Sequence, residues 1–225
     1  MFFLAKSWKD RVLQIQAVKD KCNHILKRLA LPDDDARAQG IVHVRQFCNT
    51  LAAVPIKLQQ NAEVGSNVRI IMQLLGVQRH EDLKSCLGDL NKNAKVSFIT
   101  MTQFALENCI ERVLDAIPGE KAQGTFCKGS LRLLKVTKVA DHQTKHDILM
   151  VPAWIRNTLH SACIYRGGSK EVVIDGECYR FEKGKGLYCG TWSHLMHCLS
   201  NALDIYEEML CSSVVTSISK ICVVS

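Results

Sequence analysis

Arg156 and His160 stand four residues apart with Asn157 beside the arginine, a spacing that stacks the first two on one face of a helix. An arginine fork stabilises charge developing on phosphorane oxygens. A histidine titrating near neutrality moves the proton of a ribose 2′-hydroxyl or protonates the leaving oxygen. The pair therefore suits phosphodiester cleavage by a route that needs no metal and no cofactor. The same spacing also occurs in helices where the arginine merely pairs with a carboxylate and the histidine packs at a turn.

Other elements must position that pair. Pro152 suits a helix start, so a helix is expected from about Ala153 to Tyr165, with Trp154, Ile155, Leu159, Ala162 and Cys163 on its buried side. Earlier, Phe98, Ile99, Phe104, Ala105, Cys109, Val113, Leu114 and Ile117 form the apolar face of a helix over Val96 to Ile117, closed by Pro118-Gly119. Asp141 to Asp147, with His142 and His146, reads as a polar connection. After the motif, Glu171 to Ile174 and Glu177 to Phe181 are strand-like, and Asp175-Gly176 between them is a strong hairpin signal. Thr191 then caps a long last helix carrying Trp192, Leu195, Leu199, Ala202, Leu203, Tyr206 and Leu210.

Toward the N-terminus, Ser7 to Leu29 is helical by the spacing of Val12, Ile15, Val18, Cys22, Ile25 and Leu29. A second helix is expected from Asp35 to Val54, ended by Pro55, and a third opens at Gly65-Ser66-Asn67 and stops at Gly76. His80 to Leu90 is a short amphipathic piece, and Asn91-Lys92-Asn93 is the candidate boundary. The chain thus divides into an N-terminal helical region, 1–92, and a second unit, 93–225. The fold class is all-α: a helical bundle with a small β-hairpin inserted before the last long helix.

The stretch Ile155-Arg156-Asn157-Thr158-Leu159-His160-Ser161-Ala162-Cys163-Ile164-Tyr165 resembles the final-helix signature of the HEPN superfamily. The following turn, hairpin, glycine-bearing loop and long helix are similar to one branch of it. The acidic helix with Glu107, Glu111 and Arg112 is similar to the helix these domains place opposite the motif. The resemblance covers roughly residues 93–213. It implies a compact, commonly dimeric helical bundle. It also implies an RNA-directed protein, such as a metal-independent endoribonuclease of a toxin–antitoxin, antiviral-defence or RNA-processing system, with an antitoxin or other protein partner. Arg156 would then clamp the scissile phosphate, His160 would act as general acid and base, Asn157 would orient substrate, and Glu107 and Glu111 would support the arginine. Three residues separate Arg156 from His160, against four to six in the usual hallmark. Inactive members serve as binding or dimerisation modules, the alternative reading.

The net charge is +7 and the pI about 8.9, values compatible with nucleic acid or an anionic surface. Lys128, Arg132, Lys135 and Lys138 recur at helical spacing in a helix expected over Gly129 to Val139, as an RNA-binding face or a solvated one. No run reaches the roughly 18 apolar residues of a spanning helix, and Lys6 and Lys9 end the apolar start Met1-Phe2-Phe3-Leu4-Ala5 too soon for a secretory signal. The 11 cysteines are odd in number and scattered, as buried small hydrophobes in a reducing, cytoplasmic setting. Cys222-Val223-Val224-Ser225 fits a prenylation box, which would make the chain a lipid-anchored effector. Cys189, His194, His197 and Cys198 suggest zinc, but His197 and Cys198 point about 100° apart on a helix, and no C-x-x-C pair supplies a knuckle.

Overall fold

The structure is a computed structural model and describes residues 7–122 and 124–222. The apolar start at Met1 and the last three residues of the prenylation box lie outside the described residues. Nine α-helices and one two-stranded hairpin follow one another among the described residues.

Helix α1 (Trp8–Leu29) opens on a capping box. Asp10 N–H donates to Ser7 Oγ at 3.3 Å and Ser7 N–H to Asp10 Oδ2 at 2.9 Å. Ile15, Val18, Cys22 and Ile25 are its buried face, whereas Val12 is exposed. Asp35 caps α2 (Ala36–Phe47). The chain does not stop at Pro55 as expected. A π-helical turn, Cys48–Ala52, leads into α3 (Ala53–Glu63), which runs over the proline. The π-helical turn feeds α3 without a break, with Ala53 N–H donating to the Cys48 carbonyl, so Pro55 costs the continuous helix one backbone bond and does not end it. Helix α4 (Gly65–Leu75) ends at Gly76 in the left-handed region (φ 66°).

The break expected at Asn91-Lys92-Asn93 is absent. Helix α5 (His80–Ala116) passes through it unbroken for 37 residues. Asparagine costs a helix only several tenths of a kcal/mol relative to alanine. Asn91 is also held by Trp192, whose Nε1–H donates to its Oδ1 at 2.8 Å. After α6 (Phe126–Val136), helix α7 (His142–His160) begins ten residues before Pro152 and ends five before Tyr165. The expected polar connection is therefore its first turns. Proline gives up one backbone bond there, but Leu149, Met150, Val151, Ala153 and Ile155 are buried around it, and packing decides.

Strands β1 (Lys170–Ile174) and β2 (Glu177–Phe181) pair antiparallel with Ile174 opposite Glu177. Asp175 and Gly176 both take positive φ (48° and 85°), as a two-residue hairpin turn of the right twist requires. Thr191 caps α8 (Trp192–Leu210), the most buried helix, and a short α9 (Ser213–Thr216) follows. The fold is a mainly α bundle with the hairpin before the last long helix.

Helix α5 packs on α2, α3, α6 and α7, and α8 packs on α1 and α7. One buried cluster runs from Ile15 in α1 to Leu210 in α8, and the Tyr206 hydroxyl of α8 donates to the Leu106 carbonyl of α5 at 2.9 Å. The segment after α8 is tied down at its far end. Arg37 and Asp35 are buried together, the Arg37 Nη1 donates to the Val215 and Ile218 carbonyls at 2.9 and 3.0 Å, and Ile221 N–H donates to Asp35 at 3.2 Å. Of the 11 cysteines five are buried, fewer than the pattern suggested, and all are free thiols. Among the described residues, no helix is long and apolar enough to cross a membrane.

Candidate functional site

Helices α5 and α7 bring the motif together with partners far away in sequence. Thr100, Phe104 and Glu107 fall at four- and three-residue spacing on α5 and form one ridge. Arg156 of α7 lies against this ridge. Its Nη1 approaches Glu107 Oε2 at 3.4 Å, its guanidinium carbon stands 5.5 Å from the Phe104 ring centre, and its Nε donates to Asn157 Oδ1 at 3.1 Å. The arginine side chain is only 17% exposed. His160, one turn on, is exposed, and its Nε2 lies 2.8 Å from Thr100 Oγ1.

Arg156, Asn157, His160 and Glu107 therefore share one face. Glu111 lies a turn further along α5, exposed and not paired with Arg156. It and Glu107 edge a crevice beside Thr125, Phe126 and Gly129, at about 10 Å³ too small for a substrate. Phe104, expected in the buried face of α5, is 54% exposed, and Met101 beside it is 42% exposed. Sequence reading missed Thr100 and Phe104 as partners of the motif, although their register with Glu107 was there to be read.

The turn that ends α7 is strained. Ala162 and Cys163 both take positive φ (54° and 62°), a region costing non-glycine residues about 1 kcal/mol or more each. The neighbouring loop holds them there. Leu187 N–H donates to the Cys163 carbonyl, Tyr165 N–H to the Lys185 carbonyl and Gly184 N–H to the Tyr165 carbonyl. Backbone strain of this kind often sits beside functional side chains, and here it follows His160 directly.

The basic residues of α6 are not part of this face. Lys128, Arg132 and Lys135 are exposed. Arg132 is committed to Glu120 by two bonds of 2.6 and 2.5 Å, and Lys138 lies past the helix end with φ 56°. Cys222 is exposed and bridges to Asp35.

The zinc candidates have other partners. His194 Nε2 faces Glu177 at 3.2 Å and its Nδ1 faces Thr191 at 2.6 Å. His197 Nδ1 meets the Tyr179 hydroxyl at 2.9 Å and its Nε2 meets Asp175 at 3.3 Å. Both histidines are buried, and they fasten the hairpin to α8. Burial, outweighing the carboxylates of Glu177 and Asp175, lowers both below the ordinary imidazole value. Burial raises the thiols too, Cys189 to about 12 and Cys198 further. Among the described residues no three His, Cys, Asp or Glu side chains gather as a metal site would need. His146, read as a loop residue, is buried in α7 with its Nε2 2.9 Å from the Cys127 carbonyl of α6.

Compared with known proteins, the chain matches no family model, no curated protein and no solved structure.

Proposed function

We propose that the protein acts as a HEPN-like interaction module whose α5–α7 face closes on a second copy of the chain. The observation that supports this is the commitment of Arg156. Its guanidinium is engaged within the chain by Glu107 and the Phe104 ring, so it reaches a phosphate only by giving up a carboxylate. The same ridge leaves Phe104 and Met101 in solvent, and apolar side chains rimmed by polar ones are what a partner covers.

A second reading, a metal-independent endoribonuclease, rests on His160. It is exposed, and its partner is a hydroxyl rather than a carboxylate. An imidazole so placed is free to exchange protons with a bound ribose.

One experiment separates the two. The chain, its His160→Ala and Arg156→Ala variants and its Phe104→Glu variant are incubated with single-stranded and structured RNA in EDTA, and their masses are measured by light scattering. For the module, wild type leaves RNA intact and runs as a dimer that Phe104→Glu converts to monomer. Cleavage by wild type, lost on the order of a hundredfold in both alanine variants, would make the protein a ribonuclease. A monomeric wild type that cuts nothing would remove both readings.

A further inference from the structure

Away from the α5–α7 face, a groove of about 490 Å³ runs between the N-terminal part of α1, α3 and the first turns of α5. That is the size of a pocket that buries a cluster of side chains or a small ligand. Its apolar lining comes from Pro55, Ala62, Leu83 and Leu87. Its charge comes from Arg11 and Lys84, with His80 at the same wall. Among the described residues no carboxylate lines it, and neither Arg11 nor Lys84 has an ion-pair partner. Farther along α5, Lys95 is held below the ordinary lysine range chiefly by burial, with Cys163 opposing and the like charges of Arg11 and Lys92 adding to the shift.

Gly88 adds a second observation. It sits inside α5, where glycine costs about 1 kcal/mol relative to alanine. Gly40 in α2 has a packing reason, since a Cβ there would stand 2.8 Å from the Cys109 Cβ. Gly88 has none, since a Cβ there would meet nothing within 4 Å. It lines the groove, and the space it leaves lets another backbone come close.

From this arrangement we infer that the groove is a docking site for an acidic amphipathic helix of a partner protein. Its apolar stripe lies on Leu87 and Pro55 over the buried Leu83, its carboxylates face Arg11 and Lys84, and its backbone passes over Gly88. Helix-in-groove recognition uses this combination of an apolar channel and flanking charges.

The test is fluorescence anisotropy on the full chain with a labelled synthetic helix carrying leucines at helical spacing and glutamates on both flanks. The control peptide has lysines for the glutamates. The wild type is expected to bind the glutamate peptide and not the lysine one, with binding that weakens as salt rises. Gly88→Leu should weaken it at least about tenfold, and Arg11→Glu with Lys84→Glu should abolish it and admit the lysine peptide. Thermal unfolding verifies that these variants fold, with Gly88→Ala as a milder filling of the same space. Equal binding of the two peptides, or indifference to Gly88→Leu, overturns the proposal. So does displacement of the peptide by phosphatidylserine vesicles or single-stranded RNA at matched charge, or loss of peptide binding through self-association of the chain at this groove.

Discussion

Arg37 closes on Asp35, two residues before it, with both arms of its guanidinium, Nε at 2.8 Å and Nη2 at 2.6 Å, where neither side chain is more than 2% exposed. Burial alone would raise the Asp35 carboxyl. The bonds from the Arg37 side chain and backbone and from Ile221 outweigh it and hold the group below the ordinary carboxylate range. A buried pair of this kind is costly to break from one side. Arg37→Met should destabilise the chain by about 3–5 kcal/mol, because it leaves the Asp35 carboxylate buried without its cation. Urea unfolding of Arg37→Met, Asp35→Leu and the double variant checks this, and losses that simply add in the double variant would show that the pair carries no coupling. Because the Asp35 value is lowered, its contribution is present above the unfolded-state value near 3.9 and is lost as pH falls through the folded-state one.

The Arg156–Glu107 contact is weaker, with one bond at 3.4 Å between partly exposed side chains. A double-mutant cycle of Arg156→Ala and Glu107→Ala should give a coupling of about 0.5–1 kcal/mol. A coupling near zero would free the arginine for a phosphate and count against its structural commitment.

The histidine clasp between hairpin and α8 makes stability depend on pH. Glu177, Thr191 and Tyr188 face His194, Asp175, Tyr179 and Asn201 surround His197, and the Lys21 charge also reaches it. Both imidazoles have folded-state values below the unfolded 6.5. The native state therefore binds fewer protons than the unfolded one. Stability is complete above about pH 6.5 and falls as pH drops below it, by at most about 1.4 kcal/mol per pH unit for each proton. Urea midpoints at descending pH should show this slope, and His194→Gln with His197→Gln should flatten it below pH 6.5 if these two residues are its source.

At the strained turn, Ala162→Gly should raise stability by roughly 0.5–1 kcal/mol, because only glycine takes a φ of 54° without a Cβ penalty. Thermal unfolding measures it. A drop in the midpoint would mean that the Ala162 side chain contributes packing greater than the strain it causes.

Local chemistry was legible in the sequence. The Asp175-Gly176 turn, the Gly76 stop and the Thr191 cap each depend on a few adjacent residues, and each stands where the sequence puts it. Breakers were less informative. Pro55, Pro152 and the Asn91-Lys92-Asn93 cluster all lie within helical backbone, because burial of neighbouring residues or a single side-chain bond outweighs a modest local cost. The candidate face was legible in part. That Arg156 and His160 share a helix face follows from their spacing. Glu107 came into view through the resemblance alone, and Thr100, 60 residues from His160, did not come into view at all. Only the crossing of α5 and α7 sets that register.

Helix α5 has a hydrodynamic consequence. Its 37 residues, rising about 1.5 Å each, make it roughly 55 Å long. A compact chain of this size has a radius of gyration of about 17 Å, equivalent to a sphere roughly 44 Å across. The helix exceeds that diameter, so the molecule tumbles as a prolate body rather than a sphere. The amide vectors of α5 lie along the long axis and should share one slow rotational relaxation rate, while vectors in helices that cross it relax faster.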